Sequence, residues 1–400
     1  MNNIYAALEI GTSRTVLAVG EAETGQRLKI TCHAHIPSTG VRKSEILDIA
    51  QASHSIRSVL REVEKRQLEQ GSSLTIGNAF LLVSGQHVKV DSYQATAQIA
   101  RGKVSEDDME QVSRAARSMP LPDDREVLDI AEQLYSVDDA DGLLSPRNRS
   151  GRILKLRALY VHADSNRIND AKSAAGDQHL ELRDPVFACT CAADAVLSES
   201  ERREGVMVLD VGGGCTGYAV YCDGVLAIAG VIGVGGDHIT NDIAIAFQTT
   251  QAQAEEMKIK EANALIQADS AEPARIRLPG SSPLMEQRTI SRNSLNTVVN
   301  ARCRELFAIL RSKLAKADLL NRLGAGIVLT GGGAALRGFA ELLRRELGED
   351  VRMGAPIHVD GLENEQHPES CAAIAGALMY AHRNYEEKSF FKMLFGGGRK

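Results

Sequence analysis

Two short stretches of the sequence place an acidic residue just ahead of a turn that contains glycine. The first is Glu9-Ile10-Gly11-Thr12-Ser13-Arg14, and the second is Asp210-Val211-Gly212-Gly213-Gly214-Cys215. Apolar runs lie on both sides of each turn, which indicates a β-hairpin. Glycine allows a tight turn and leaves backbone N–H groups open to phosphate oxygens. Two such hairpins about 200 residues apart predict a duplicated fold that closes on one nucleotide, with Glu9 and Asp210 directed at a hydrated Mg²⁺.

A third glycine cluster follows an apolar run nearer the end of the chain. Ile327–Thr330 is predicted to be a buried strand. It leads into the residues Gly331, Gly332, Gly333 and Leu336. A strand that enters glycines ahead of a helix allows a ligand to approach the backbone closely. We therefore expect this cluster to lie against the adenosine or ribose of the nucleotide.

A glycine pair also precedes a predicted helix in the second half of the chain. Gly235 and Gly236 come just before Asp237, which we interpret as the N-cap of a helix over residues 239–247. Because the N-terminus of a helix favours anions, we expect this end of the helix to face the nucleotide.

The composition is that of a soluble globular protein with more than one domain. The chain has 400 residues, of which 44% are hydrophobic and 24% are charged. The net charge of −6 disfavours nucleic acid as a partner. Seven cysteines without a CxxC pair are interpreted as buried free thiols in a reducing cytoplasm. No apolar run approaches the roughly 18–20 residues that a membrane span needs.

The elements that must position these residues follow from hydrophobic periodicity. Strands are predicted within residues 1–34, and a long helix is predicted over residues 44–70. Residues 78–165 are predicted to form a self-contained insert of one helix against a small sheet. Residues 188–198 are rich in small residues, and a closing helix is predicted over 370–383.

The segment 386–400 is rich in large apolar residues, although chain termini are usually polar. A short helix there would place apolar side chains on one broad side with lysines beside them. The apolar residues are Phe390, Phe391, Met393, Leu394 and Phe395, and the lysines are Lys388 and Lys392. We interpret the segment as a tail that targets an anionic membrane. A folded-back core segment is the alternative, but three glycines and a basic end do not suit burial.

Six motifs in collinear order resemble the FtsA family of bacterial cell-division proteins, within the actin/Hsp70/sugar-kinase superfamily. They are Leu8-Glu9-Ile10-Gly11-Thr12, Val83-Ser84-Gly85-Gln86-His87, Leu209-Asp210-Val211-Gly212-Gly213-Gly214, Thr240-Asn241-Asp242-Ile243-Ala244, Gly326-Ile327-Val328-Leu329-Thr330-Gly331-Gly332 and Val351-Arg352-Met353-Gly354-Ala355-Pro356. The resemblance implies a two-lobed α/β fold of the actin-like ATPase type. Such a fold consists of duplicated ribonuclease-H-like domains, here with a small inserted α+β subdomain.

The resemblance also implies how the chain divides into domains. Residues 1–77, with 166–192 and 370–385, are expected to form the first lobe, and residues 78–165 the inserted subdomain. Residues 193–240 and 301–369 are expected to form the second lobe, with residues 241–300 as its upper part. Residues 386–400 form the tail.

Further residue roles come from the resemblance alone. Glu255 and Lys258 border the nucleoside in this family, although an exposed i,i+3 ion pair is an equally open interpretation. Arg302 matches a basic residue of the pocket that binds the C-terminal tail of FtsZ. Thr297 and Asn300 stand where that pocket has acidic residues. The insert lies where the next protomer of a filament docks.

The function that the resemblance implies is that of an ATP-binding protein that polymerises and tethers FtsZ filaments at the division septum. Its location would be the cytoplasmic face of the inner membrane, with other divisome proteins as partners. Arg14 stands where lysine is common, Cys215 where threonine is typical, and Gly217 where many members have an acid. No general base is assigned, so we expect at most slow ATP hydrolysis. A PilM-like pilus adaptor and a sugar or acetate kinase of the same superfamily are the alternatives.

Overall fold

The structure is a computed structural model that describes residues 3–23, 25–72, 74–266, 275–277 and 289–395, with side chains as far as residue 384. Within these ranges the chain forms two five-stranded sheets and one four-stranded sheet. Helices cover the faces of these sheets, so that most of the apolar strand residues are buried.

The first half of the chain builds one sheet, leaves it for an insert, and then returns to it. The elements before the insert are β1 (Asn3–Ile10), β2 (Arg14–Ala22), β3 (Lys29–Pro37), β4 (Val41–Arg42), β5 (Glu45–Ile46), α1 (Ile49–Glu69) and β6 (Asn78–Val83). The insert contains β7 (Lys89–Gln98), α2 (Glu106–Arg117), β8 (Arg125–Val137), β9 (Ala140–Leu143) and β10 (Ile153–Asp164). The return consists of α3 (Ser165–Gly176), β11 (Glu181–Phe187) and α4 (Ala188–Val196).

The second half of the chain builds another sheet and ends in a long helix. Its elements are α5 (Glu199–Glu204), β12 (Val206–Val211), β13 (Thr216–Cys222), β14 (Val225–Ile232), α6 (Gly236–Phe247), α7 (Gln251–Lys260), β15 (Arg275–Arg277), β16 (Thr289–Ser291), α8 (Arg292–Lys316), β17 (Ile327–Thr330), α9 (Phe339–Leu347), β18 (Val351–Met353) and α10 (Ala372–Phe395). Short 3₁₀ turns at Gly332–Ala335 and Pro368–Cys371 precede α9 and α10.

The two five-stranded sheets have the same topology, which confirms the predicted duplication. Their strand orders are β3-β2-β1-β6-β11 and β14-β13-β12-β17-β18. In each sheet three antiparallel strands form a meander, and two further strands continue in parallel beside the first of them. Ile10 pairs with Thr15, and Val211 pairs with Thr216, so each first hairpin closes a turn of the same length.

The insert is a four-stranded antiparallel sheet covered by α2, with a hydrophobic cluster of its own. It begins later than predicted. Strand β6 is an apolar run that pairs in parallel with β1 and β11, so its residues belong to the first lobe. The polar stretch 138–152 between β8 and β10 contains β9, which pairs with β8. Gln133 on β8 donates to the carbonyls of Leu226 (2.7 Å) and Ala227 (3.1 Å), so the insert contacts the edge strand β14.

Helix α1 begins five residues later than predicted, at Ile49 rather than Ser44. Lys43 and Ser44 have positive φ angles of 52° and 62°, which a right-handed helix excludes. The residues from Val41 to Ile46 instead form the ribbon of β4 and β5. Asp48 then caps the helix by accepting a hydrogen bond from the Gln51 backbone N–H at 3.0 Å.

Helix α10 continues well past the predicted end at residue 383 and reaches Phe395. The backbone of the predicted tail is therefore helical over residues 388–395. The side chains of these residues, and all of residues 396–400, lie outside the described part of the chain. Within the described ranges, none of the helices combines the length and the apolar character that crossing a bilayer requires.

Helices α4 and α10 cross at very short range because the residues between them are small. Ala192, Ala193 and Ala375 are fully buried at this crossing. A Cβ atom added to Gly376 would lie only 1.8 Å from the carbonyl oxygen of Cys191. The small residues of 188–198 thus allow α4 to pack closely against α10.

We predict that Gly376→Ala destabilises the protein, because the added methyl group overlaps the backbone of α4. Overpacking of this kind costs roughly 1–3 kcal/mol. Gly176→Ala is the matched control, because Gly176 also lies in a helix and a Cβ there meets no atom within 4 Å. Urea unfolding of both variants measures the difference. Equal urea midpoints for the two variants would show that α4 and α10 move apart to admit the methyl group without a loss of stability.

Candidate functional site

A cavity of about 540 Å³ lies between the two lobes, a volume typical of small-molecule sites. Every residue that the sequence predicted to contact the nucleotide or the metal lines it. These are Glu9, Gly11, Thr12, Ser13, Arg14, Asp210, Gly212, Gly213, Gly214, Cys215, Gly235, Gly236, Glu255, Lys258, Gly331, Gly332, Gly333 and Leu336. Residues far apart in the sequence thus share one cleft, although their individual roles stay predictions.

The two hairpin turns have the same hydrogen bond. The backbone N–H of Gly11 donates to the carbonyl of Arg14 at 3.0 Å, and that of Gly212 donates to Cys215 at 2.9 Å. A Cβ atom at Gly11 would lie 2.8 Å from the Arg14 carbonyl oxygen, so this close turn requires glycine.

The tips of the two turns touch across the cleft. The Thr12 hydroxyl accepts a hydrogen bond from the backbone N–H of Ser44 at 2.7 Å, and a Cβ atom on Gly214 would lie 2.3 Å from that hydroxyl. The sulfur of Cys215 lies 3.2 Å from Ser44 Oγ and 3.1 Å from Ser84 Oγ. Burial raises the pKa of Cys215, which therefore remains a thiol with an S–H donor for these hydroxyls. Cys215, which stands where the family typically has threonine, thus still provides a hydrogen-bonding group at the contact between the lobes.

Glu9 and Asp210 are half-buried carboxyl groups at equivalent positions in the two hairpins. Burial raises the pKa of Glu9, and the positive charge of Arg14 partly opposes this. Burial and the neighbouring charge of Glu9 raise the pKa of Asp210 from 3.8 to about 7. A pair of carboxyl groups in which one disfavours ionisation of the other suits a hydrated divalent cation, because the cation would relieve the repulsion.

Arg14 is held by the segment that precedes α10. Its guanidinium donates to the carbonyl of Ser370 at 2.6 Å and to the Ser370 hydroxyl at 3.4 Å. The third glycine cluster is tied to the same segment, because the backbone N–H of Gly331 donates to the carbonyl of Glu369 at 3.1 Å. Gly331 has φ of +81°, and a Cβ there would lie 2.5 Å from Asp210 Oδ1. This cluster therefore lies against the acidic centre as well as lining the cleft.

The first turn of α6 packs on the second hairpin. The backbone N–H of Gly236 donates to Gly212, and that of Asp237 donates to Gly213, both at 2.9 Å. The helix begins at Gly236 with Gly235 in the N-cap position, so Asp237 lies inside the first turn and is not the cap. A side chain at Gly235 would collide with the hairpin carbonyls, which excludes larger residues there.

Glu255 and Lys258 form an ion pair of 2.7 Å in the wall of the cleft. The Lys258 side chain is only 13% exposed, and its amino group also donates to Thr240 Oγ1 at 2.9 Å and to the Gly236 carbonyl at 3.2 Å. The interpretation as an exposed surface pair is therefore wrong for Lys258, which joins α7 to the start of α6.

Arg302 also faces the cleft, where its guanidinium is already paired. It donates to both carboxylate oxygens of Asp242, at 2.6 and 2.9 Å, and to Glu305. An acidic peptide would have to compete with these partners. The predicted role of Arg302 in binding a peptide thus requires an exchange of ion pairs.

Several residues of the site were not predicted from the sequence. Ser44, Ser84, Glu369 and Ser370 reach the cleft from segments that carry no glycine motif of their own. Ser84 belongs to a motif that supported the family resemblance, which was the one available signal. The others are brought in only by tertiary contacts.

Solved structures with the same overall arrangement are actin-like proteins. The chain matches the structure of a PilM-PilN type IV pilus biogenesis complex with a TM-score of 0.64 and 19% identity, covering 94% of this chain and 98% of that one. It matches MreB5 of Spiroplasma citri bound to ADP with a TM-score of 0.54 and 14% identity, covering 99% of both chains. These similarities confirm the two-lobed actin-like fold.

Sequence comparisons identify the family. The family model described as "Cell division protein FtsA" matches residues 207–375, and the model of the "SHS2 domain inserted in FTSA" matches residues 85–162. Cell division protein FtsA of Pseudomonas aeruginosa is 32% identical over 378 residues, covering 94% of this chain and 89% of that protein. The FtsA of Escherichia coli K12 is 28% identical over 390 residues, covering 96% and 91%. The chain therefore belongs to the FtsA family of cell division proteins.

Proposed function

We propose that this protein binds ATP and Mg²⁺, polymerises, and tethers FtsZ filaments to the cytoplasmic face of the inner membrane at the division septum. The observation that carries this proposal is the interlobe cleft, in which two hairpin turns and two half-buried carboxyl groups face one cavity. Such a cleft supports binding of a nucleotide with a divalent cation.

Residues of both lobes would hold the nucleotide. Glu9 and Asp210 would hold Mg²⁺ through water, and the two hairpin turns would bind the phosphates. Gly331–Gly333 and the pair Glu255–Lys258 would border the nucleoside. A bound Mg²⁺ supplies positive charge that neutralises phosphate oxygens and the two carboxylates. We infer that binding, with at most slow hydrolysis, is the functional event.

Nucleotide binding would favour self-association by ordering the two lobes around the cleft. The insert is our candidate for the contact between protomers, since it has its own core and projects as a separate sheet. The contact of Gln133 with β14 also fixes the position of the insert relative to the second lobe of the same chain.

The C-terminal tail of FtsZ is the proposed peptide ligand of the second lobe. A guanidinium binds a carboxylate in bidentate fashion, as Arg302 already does with Asp242. An acidic peptide would replace Asp242 in this arrangement. Other divisome proteins are further proposed partners.

The helical end of α10 is the proposed membrane anchor. Each large apolar side chain buried in lipid contributes about 1.5–3 kcal/mol, and each basic residue near anionic lipid adds roughly 1 kcal/mol. Ordering a short helix offsets much of this gain. One tail therefore binds reversibly, and many tails on one filament bind firmly through effective concentration.

The PilM-like alternative shares the fold, but its sequence identity of 19% carries no function. The relatives named FtsA cover nearly the whole chain at higher identity, which favours the division role. A kinase would instead need a second substrate in the cleft beside the nucleotide.

The nucleotide assignment predicts that Asp210→Asn weakens binding of Mg-ATP by roughly 10- to 100-fold, since an ionic contact contributes about 1.5–3 kcal/mol. Calorimetric titration with Mg²⁺ and with excess EDTA separates the cation's contribution from that of the nucleotide. Asp223→Asn is the control, because Asp223 is an exposed, ion-paired acid at the distant β13–β14 turn. If Mg²⁺ raised the affinity for ATP by the same factor in the variant and in the wild type, Asp210 would not contribute to the metal site.

The raised pKa of Asp210 predicts how stability depends on pH without nucleotide or metal. The folded protein holds this proton more tightly than the unfolded chain, so stability falls as pH rises from about 4 to about 7. Asp210→Asn should remove that fall and be the more stable protein at pH 8, by no more than about 4 kcal/mol. Calorimetric melting of both proteins at pH 5 and pH 8 measures their difference in stability. If that difference were the same at both pH values, the pKa of Asp210 would not be raised in the folded protein.

The membrane assignment predicts that Phe391→Asp prevents flotation with anionic liposomes, because a carboxylate resists entry into lipid. Raised salt should weaken the binding of the wild type without abolishing it. Leu68→Asp is the matched control, because Leu68 is an apolar side chain that is 69% exposed on α1. Undiminished flotation of Phe391→Asp would place the anchor elsewhere.

A further inference from the structure

Outside the cleft, three metal-ligating side chains of different types converge between β3 and the segment that leads into α10. His33 lies on β3, Glu365 lies in that segment, and Cys371 ends its 3₁₀ turn. Their donor atoms all lie within 4.8 Å of one another, and His33 Nε2 is 2.8 Å from Glu365 Oε1. We propose that His33, Glu365 and Cys371 form a binding site for a divalent cation of the zinc class.

The spacing of the three donor atoms is close to what such a cation needs. Bonds to zinc of about 2.0–2.3 Å in a tetrahedron place the ligand atoms roughly 3.3–3.6 Å apart. Separations of up to 4.8 Å therefore have to shorten by no more than about 1.5 Å, while His33 and Glu365 move apart to admit the ion. Side-chain rotation accommodates movements of this size without a change in the backbone.

The chemistry of the donor set selects the class of ion. An imidazole, a carboxylate and a thiolate together are ligands for zinc and its soft neighbours, whereas magnesium prefers oxygen alone. Three protein ligands leave a fourth position for water. This site therefore differs in its ligand types from the pair Glu9 and Asp210. A zinc-class cation would prefer the site at Cys371, and magnesium would prefer the two carboxyl groups.

An ion pair between His33 and Glu365 would explain why these two side chains meet, but not why Cys371 lies beside them. His33 and Glu365 are partly exposed, with side-chain exposures of 17% and 35%, and would bind each other without a third group. Cys371 adds a buried thiol directly beside them. Arg66 also donates to the His33 carbonyl at 2.8 Å, which fixes the backbone of β3 where the imidazole begins.

The position of the cluster gives the cation a structural consequence. The backbone carbonyl of Asp360 accepts a hydrogen bond from the Ile30 backbone N–H at 2.8 Å. The segment that leads into α10 therefore already lies beside β3. The residues just before Cys371, namely Glu369 and Ser370, contact Gly331 and Arg14 of the cleft. A cation held by His33, Glu365 and Cys371 would fasten this segment to the first lobe next to the nucleotide-binding turns.

Cobalt(II) is a direct probe of the site, because a thiolate ligand gives it a charge-transfer absorption band that oxygen and nitrogen ligands do not give. The full-length, metal-free protein, kept reduced with a phosphine, is titrated with Co²⁺ and then with excess Zn²⁺. We expect saturation near one equivalent, the thiolate band together with intense visible bands of four-coordinate cobalt, and loss of both on addition of Zn²⁺.

The variants assign the ligands. Cys371→Ser should lose the thiolate band, and His33→Ala and Glu365→Gln should each weaken Co²⁺ binding by about 10-fold or more. His54→Ala, on the exposed face of α1, and Cys222→Ser, a buried thiol in the second lobe, should behave as the wild type. Melting curves of each variant without metal confirm that it is folded. The proposal is overturned if the wild type shows no thiolate band, if the band survives in Cys371→Ser, or if both His33→Ala and Glu365→Gln bind Co²⁺ unchanged.

Discussion

The repulsion between two half-buried carboxyl groups is an electrostatic constraint on the cleft. Glu9 and Asp210 stand one residue before equivalent turns in the two lobes, so the duplicated topology itself brings them to the same cavity. Burial disfavours ionisation of both, and Arg14 offsets only part of this effect. Bringing the lobes together with both groups ionised therefore costs free energy, which a cation between the carboxylates would offset. Under the proposed function, metal binding and closure of the lobes would be linked through this one interaction.

The side chains of the two turns are complementary rather than identical. The first turn carries the hydroxyls and the guanidinium, and the second carries glycines and a thiol. Gly214 leaves room for the Thr12 hydroxyl, and Cys215 meets Ser44 and Ser84 from the other lobe. Because one tip is small where the other is large, the lobes approach to hydrogen-bonding distance where the two turns meet. The same contacts limit substitution there, since a larger residue at Gly214 would separate the lobes.

Features that depend on local sequence were predictable, and features that depend on tertiary contacts were not. The acidic hairpins and the glycine cluster follow from residue type and spacing within about ten residues, and all of them line the cleft. The start of α1 was wrong because Lys43 and Ser44 adopt positive φ, which neither residue type signals. The role of Asp237 was wrong because hairpin carbonyls, rather than a side-chain cap, satisfy the first N–H groups of α6. The contact of Ser370 with Arg14 joins residues 356 positions apart, beyond the reach of any periodicity.

Helix α10 is one continuous element of 24 residues, or about 36 Å at 1.5 Å per residue. It begins beside Ser370, which contacts Arg14, and crosses α4 at a point where Gly376 leaves no slack. The helix is held again further along, because His382 bonds to Tyr5 of β1 and Arg383 pairs with Asp194 of α4. Its last 12 residues, from 384 to 395, extend about 18 Å beyond these contacts. The segment that holds Arg14 in the cleft and the helical end at Phe395 are thus joined by one continuous element whose first half is fixed to the first lobe.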